Sequence, residues 1–186
     1  MEILEKTLTY TDYREMEFED NDKSQYELLN GILVKKGSPT IQHQRIVRKI
    51  SFAIEKYLEQ KPVGEVFFAP LDVVLDDYNA PQPDVFFVSK NRSYILDEQE
   101  QTVVGIPDLV VEILSPGSIK KDRIEKKGIY ERFGVPEFWL VDPIYRNIEV
   151  LRLVEGRYEP FDFVEETGTV KSSVLEGFGL DLAGVF

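Results

Sequence analysis

Four side chains in this sequence have the types and settings to do hydrolytic chemistry together: Glu27, Asp84, Glu112 and Lys126. Glu112 stands within PDLVVEILSPG, Pro107 to Gly117, among Leu109, Val110, Val111, Ile113 and Leu114. Such an aliphatic and β-branched run reads as a strand buried on both faces. A lone carboxylate there costs roughly several kcal/mol unless it is paired, protonated or bound to a cation. Asp84 stands at the mouth of a second apolar run, Val85 to Val88, and Glu27 just precedes an Asn30-Gly31 turn. Two acids on neighbouring strands, where one strand begins and the other nears its end, can hold a hard divalent cation such as magnesium or manganese. Such an ion stabilises charge on a phosphate and acidifies a bound water. A lysine beside it orients that water or neutralises an oxyanion. Each residue also has a plainer reading. Glu112 can be a buried acid with a permanent partner, Glu27 a solvent-facing strand residue, and Lys126 the partner of Asp122, snorkelling to the rim.

The elements that must position these groups follow in chain order. Thr11 to about Asp20 reads as a short helix capped by Thr11 or Asp12. Tyr26–Leu29 and the run from Ile32 form a hairpin across Asn30-Gly31. Pro39-Thr40 opens a helix to about Gln60, amphipathic through Ile46, Val47, Ile50, Ala53, Ile54, Tyr57 and Leu58. Glu65 to Asp76 reads as one strand, Val85–Val88 as a buried one, and Asn91 to Gly105 as an irregular surface excursion. Ser115–Ser118 turns the chain into a helix from about Ile119 to Phe133, whose apolar stripe is Ile119, Ile129, Tyr130 and Phe133. Asp122 and Lys126 fall on that stripe, four residues apart, so Lys126 aims at the sheet while Lys127 faces outward. EFWLVD, NIEVLRLV and RYEPFDFVE form a strand meander, and the apolar tail packs on the body.

Composition narrows the function classes. The chain has 186 residues, enough for one domain with a sizeable core. It has no cysteine and one histidine, His43, which excludes disulfide frameworks, cysteine zinc sites and a multi-histidine centre within one chain. The acidic N-terminus does not read as a signal peptide and no apolar run reaches membrane length, so a cytoplasmic protein with no membrane partner is expected. A formal net charge of −12 repels nucleic acid on average. Two basic clusters stand against that average: Arg45, Arg48 and Lys49, and the segment holding Lys120, Lys121, Arg123, Lys126, Lys127 and Arg132. The plain reading of both is a solvated helix face.

The ordered set PQPDVFFV, PDLVVEILSPGS and DRIEKKGIYERFGVPEFWLVD resembles the Uma-type restriction endonuclease family of the PD-(D/E)xK nuclease superfamily. YELLNG, the His43 helix and the GFGLDL tail extend the likeness over nearly the whole chain. The resemblance implies a single α/β domain over residues 1–186, with a mixed central sheet flanked by helices and antiparallel hairpins toward both ends. It matches Asp84 to the first acid, Glu112 to the second and Glu27 to the acid of the YEL motif. The superfamily lysine would fall two residues after Glu112, where this chain has Leu114, and Lys126 is its replacement. The implied activity is a magnesium- or manganese-dependent endonuclease acting on DNA. Asp84 and Glu112 would bind metal, Glu27 assist, and Lys126 position the water. His43, Arg45, Lys120 and Lys121 are candidate phosphate contacts, and a homodimer would present two sites to two strands. The alternative is a catalytically silent binding or regulatory module, which the acidity favours. For a sugar hydrolase using paired carboxylates, only Trp139 and scattered tyrosines would offer a platform, and a Ser-His-Asp hydrolase lacks a nucleophile-elbow sequence.

Overall fold

A computed structural model describes residues 7–19 and 24–186. In chain order the elements are α1 (Tyr10–Arg14), β1 (Tyr26–Leu29), β2 (Ile32–Lys35), α2 (Ile41–Gln60), β3 (Gly64–Phe68), β4 (Val73–Val74) and β5 (Val85–Ser89). They continue with β6 (Leu96–Asp97), β7 (Thr102–Val104), β8 (Leu109–Ile113), α3 (Lys127–Phe133), β9 (Glu137–Asp142) and β10 (Asn147–Val154). The chain ends with β11 (Arg157–Glu165), β12 (Thr169–Lys171) and β13 (Gly179–Asp181). Six strands form the central sheet in the order β11-β10-β9-β8-β5-β3. Within this sheet β8 and β9 run parallel, joined by the helical crossover that a parallel pair requires, and the other described pairs are antiparallel. This is the mixed α/β sheet that the sequence led us to expect.

Alternation along the strands sorts the core into two layers. Leu109, Val111 and Ile113 of β8 and Val85 and Phe87 of β5 pack beneath Ile46, Ile50 and Ile54 of α2 and against the tail residues Leu175, Phe178 and Leu182. The opposite face carries Phe86, Val88, Val110, Phe138 and Leu140 against Tyr130 of α3. Both faces of β8 are covered, so the hydrophobic run around Glu112 is physically required. The hairpin also forms as expected. Asn30 and Gly31 take φ of 51° and 75°, the left-handed pair of a type I′ turn. Thr40 caps α2 through its side chain, which accepts from His43 N at 3.1 Å.

Four expectations change. The first helix is shorter, and Thr9 is its cap, forming a capping box with Asp12; the far end expected at Asp20 lies outside the described residues. The strand expected over Glu65–Asp76 is broken after Phe68, because Pro70 has no N–H to continue the ladder, and β4 joins a separate three-stranded sheet with β7 and β6. The segment Asn91–Gly105 is not irregular. Lys90–Ile95 forms a 3-10 helix and β6–β7 a hairpin, anchored by the buried Ile95 and Val103. The helix after β8 keeps its expected bounds but winds as a π-helix over Lys121–Lys126, and Ile119 is exposed rather than part of the apolar stripe. No helix among the described residues is long and apolar enough to cross a membrane.

Trp139 is fully buried, which removes it as a sugar platform. Its Nε1 donates to Glu137 Oε1 at 2.7 Å, as does Ser172 Oγ. Glu137 Oε2 accepts from Ser173 N, Ser173 Oγ and Val174 N. This buried carboxylate thus ties the tail to β9. Glu137→Ala would strand several buried donors, and hydrogen bonds to a charged group are worth about 1.5–3 kcal/mol each. We expect a loss of about 3 kcal/mol or more in chemical denaturation, with the Trp139 fluorescence transition moving to lower denaturant. An unchanged midpoint would mean the apolar tail contacts alone hold this end.

Candidate active site

Strand register brings the two principal acids together. β5 and β8 are antiparallel with Val85 opposite Val111 and Phe86 opposite Val110. Asp84 directly precedes Val85 and Glu112 directly follows Val111, so both acids stand at the same end of this pairing. Asp84 Oδ2 accepts from Ile113 N at 2.8 Å, which fixes this carboxylate across the end of β8. Glu27 arrives from the hairpin and is held by Gln82 N at 3.3 Å. It is 2 % exposed, so the solvent-facing reading of Glu27 is overturned. The hairpin packs over the Ala80–Gln82 segment, with Leu28 and Ala80 bridged, and that contact cannot be read from β1 alone.

Lys126 closes the constellation from the other side. Its Nζ lies 2.5 Å from Glu112 Oε1 and 3.2 Å from Glu27 Oε2, and the side chain is 2 % exposed. The inward aim expected from the helical stripe is thus observed, and the snorkelling alternative is not. Asp122, on the same turn, is also buried. Tyr130, a turn further on, donates from its hydroxyl to Glu112 Oε1 at 2.7 Å. The π-winding of Lys121–Lys126 widens the turn that carries these groups; such insertions recur where helices present functional side chains.

A cavity of about 380 Å³ opens onto Glu27, His43, Asp84, Glu112, Asp122 and Lys126, with Lys36 and Lys121 also on its wall. His43 reaches in from α2 and its Nε2 lies 3.0 Å from Asp84 Oδ2. Lys121 Nζ lies 3.7 Å from Glu27 Oε1. Of the four residues expected to meet phosphate, His43 and Lys121 line this cavity. Lys120 is exposed and does not line it, and Arg45 lines a neighbouring groove. Tyr130 and Lys36 were not among the expected site residues. Tyr130 was legible as the next position on the Asp122–Lys126 stripe. Lys36 was legible from the Asn30-Gly31 register, which sets the position after β2 diagonal to Glu27 on the same face.

The charges in this cavity are unevenly matched. Burial pushes Asp84 up, but the His43 hydrogen bond and the nearby Lys36 and Lys126 outweigh it, so Asp84 lies below the usual carboxylate range. Burial likewise opposes ionisation of Glu27, and Lys126, Lys36 and Lys121 overcome it. Glu112 goes the other way. Its burial, reinforced by Asp84, Asp122 and Glu27, raises it to about 8 against the pull of Lys126. Burial opposes the Lys126 charge, but Glu112 and Glu27 dominate and hold the ammonium protonated. Glu112 and Asp122 are thus pushed toward their neutral forms, while Glu27 and Asp84 are held ionised.

These residues can be tested as a home for a divalent cation. Glu112 Oε1 is committed to Lys126 and Tyr130, and Asp84 Oδ2 to Ile113 N and His43. Among the described residues no hydrogen bond to the second oxygen of either acid is seen. No group of three or more histidine, cysteine or acidic side chains among the described residues is arranged to hold a metal ion. The donor set therefore fits a hard cation shared by two carboxylates and several waters rather than an all-protein cage.

A mixed sheet with paired acids and a lysine at one strand end defines a restriction-endonuclease-like α/β protein. The chain belongs to the Uma2 family, described as "putative restriction endonuclease", which it matches over residues 10–183. Its fold is similar to the crystal structure of "a putative nuclease belonging to DUF820" from Anabaena variabilis ATCC 29413. The two share 21% sequence identity with a TM-score of 0.75, over 96% of this chain and 97% of that one. No curated protein matches the chain.

Proposed function

We propose that this protein is a cytoplasmic, magnesium- or manganese-dependent endonuclease that hydrolyses DNA from the Asp84–Glu112 cleft. One observation carries the reading: two acids at the same end of the β5–β8 pairing share a cavity with a buried lysine. A cation held by Asp84 and Glu112 would supply charge stabilisation at the phosphate and an acidified water. Asp84 is kept ionised and oriented by His43 and Ile113 N. Lys126 holds a protonated amine beside Glu112, where it can orient the attacking water and neutralise the oxyanion that forms. Glu27 fixes that amine from the far side. Lys36 and Lys121 are the cations best placed to receive a phosphate, since both stand on the cavity wall of an otherwise acidic chain. Paired copies, each addressing one strand by two-fold symmetry, are part of the reading.

One observation favours a second reading. Lys126 already sits between Glu112 and Glu27, as a permanent internal counter-ion would. The cleft would then be an ionic core of a silent binding module. Calorimetry with magnesium and manganese, run beside a DNA cleavage assay, separates the two. We expect divalent binding that Asp84→Asn abolishes and cleavage that a chelator stops. The absence of both binding heat and cleavage, with every DNA form tried, would sink the nuclease reading in favour of the module.

A further inference from the structure

One face of α2 has no role in the cleft and no cover among the described residues. Ile41, Arg45, Arg48, Phe52, Glu55 and Glu59 recur along it at alternating spacings of four and three, the repeat of a helix–helix seam. All six are exposed, Ile41 and Phe52 at 73% and 68%. Five of them, with Val66 and Phe68 of β3, line a groove of about 780 Å³. β3 is the edge strand of the central sheet, and Phe68 stands 59% exposed on it. An uncovered apolar edge beside an apolar helix face marks an interaction surface.

The charges on this face say what fits it. Arg45 and Arg48 stand in the first half of α2, Glu55 and Glu59 in the second, and none of these four forms an ion pair among the described residues. The helix has no acid in its first turn and no base in its last. The arrangement runs against the helix dipole, so it does nothing for α2 alone. It is, however, self-complementary. When two copies of α2 lie antiparallel about a two-fold axis at the level of Ile50, Arg45 of one copy meets Glu55 of the other. Arg48 then meets Phe52, a guanidinium on an aromatic face. Each contact occurs twice, as an isologous interface requires.

We infer that this chain forms a homodimer through an antiparallel α2–α2 seam, with the β3 edge flanking it. The pairing deepens the two-site part of the proposed function but rests on α2, not on the acids of the cleft. Pro39, Gln44, Val47 and Ala69 line both the groove and the catalytic cavity, so the seam borders the cleft. At 1.5 Å rise per residue, the levels of the two His43 residues lie roughly 21 Å apart along the seam.

Sedimentation equilibrium without metal or DNA tests the seam independently of any nuclease activity. Wild type should be a dimer, and Arg45→Glu or Glu55→Arg alone should each weaken association about 100-fold or more by opposing like charges. Phe52→Asp should do the same, with circular dichroism confirming the fold of each variant. Mixing the Arg45→Glu protein with the Glu55→Arg protein should restore a heterodimer, since two ion pairs are then regained, one in its original sense and one with reversed sign. A monomeric wild type, or a dimer indifferent to these substitutions, overturns the inference. So does a mass unchanged by Arg45→Glu when DNA affinity falls, which would make this face a nucleic-acid contact.

Discussion

Asp84→Asn is expected to lower DNA cleavage about 100-fold or more while the protein stays folded. The asparagine is nearly isosteric, and its side-chain oxygen can still accept from Ile113 N as Asp84 Oδ2 does at 2.8 Å. What is lost is the charge. Asp84 is an acid of the cleft that His43, Lys36 and Lys126 hold ionised against burial. The measurement is single-turnover cleavage with magnesium, beside the thermal midpoint of the variant. Retained cleavage would remove Asp84 from the chemistry and leave it as a clamp between α2 and the end of β8.

The second large effect is on stability. Lys126→Met replaces the ammonium by an apolar group of similar length, and leaves Glu112 buried without the cation beside it and Glu27 with the more distant Lys121, at 3.7 Å. Removing one partner of a buried ion pair costs about 3–5 kcal/mol, and here a single amine serves two acids at 3.2 and 2.5 Å. Chemical denaturation should show a loss of that size. Adding Glu27→Gln and Glu112→Gln to the same chain should recover most of it, because the stranded charges go with the lysine. A loss that persists in the triple variant would instead point to packing of the lysine stem.

The pH profile carries a linked signature. Glu112 has its folded value raised to about 8 from an ordinary 4.5. Between those limits the folded chain binds a proton that the unfolded chain has released, so this residue's contribution to stability falls as pH rises through that window. With chelator present, wild type should therefore lose stability between about pH 5 and 8 relative to Glu112→Gln. In Lys126→Met the decline should extend to higher pH, because the one cation opposing the shift has gone.

Local features of this protein could be read directly from the chain. Asn30-Gly31 sets a hairpin because few other dipeptides tolerate two successive left-handed residues. Thr40 and the apolar spacing from Ile46 to Leu58 fix α2, since a helix needs only its cap and its stripe. The inward aim of Lys126 followed from its place four residues before Tyr130. Glu112 was conspicuous for a physical reason: no strand covered on both faces carries a carboxylate without a partner or a task.

Tertiary structure decided the rest. Alternation assigns a residue to one face of its strand but does not say which strand lies beside it. The meeting of Asp84 and Glu112 therefore appears only once β5 and β8 are paired. Burial of Glu27 depended on the hairpin docking against Ala80–Gln82, and the role of His43 on α2 crossing the end of the sheet. The π-winding at Lys121–Lys126 is likewise seen only in the folded chain. Short-range rules act within a few residues of chain, whereas this cleft is assembled from segments that meet only after the sheet has closed.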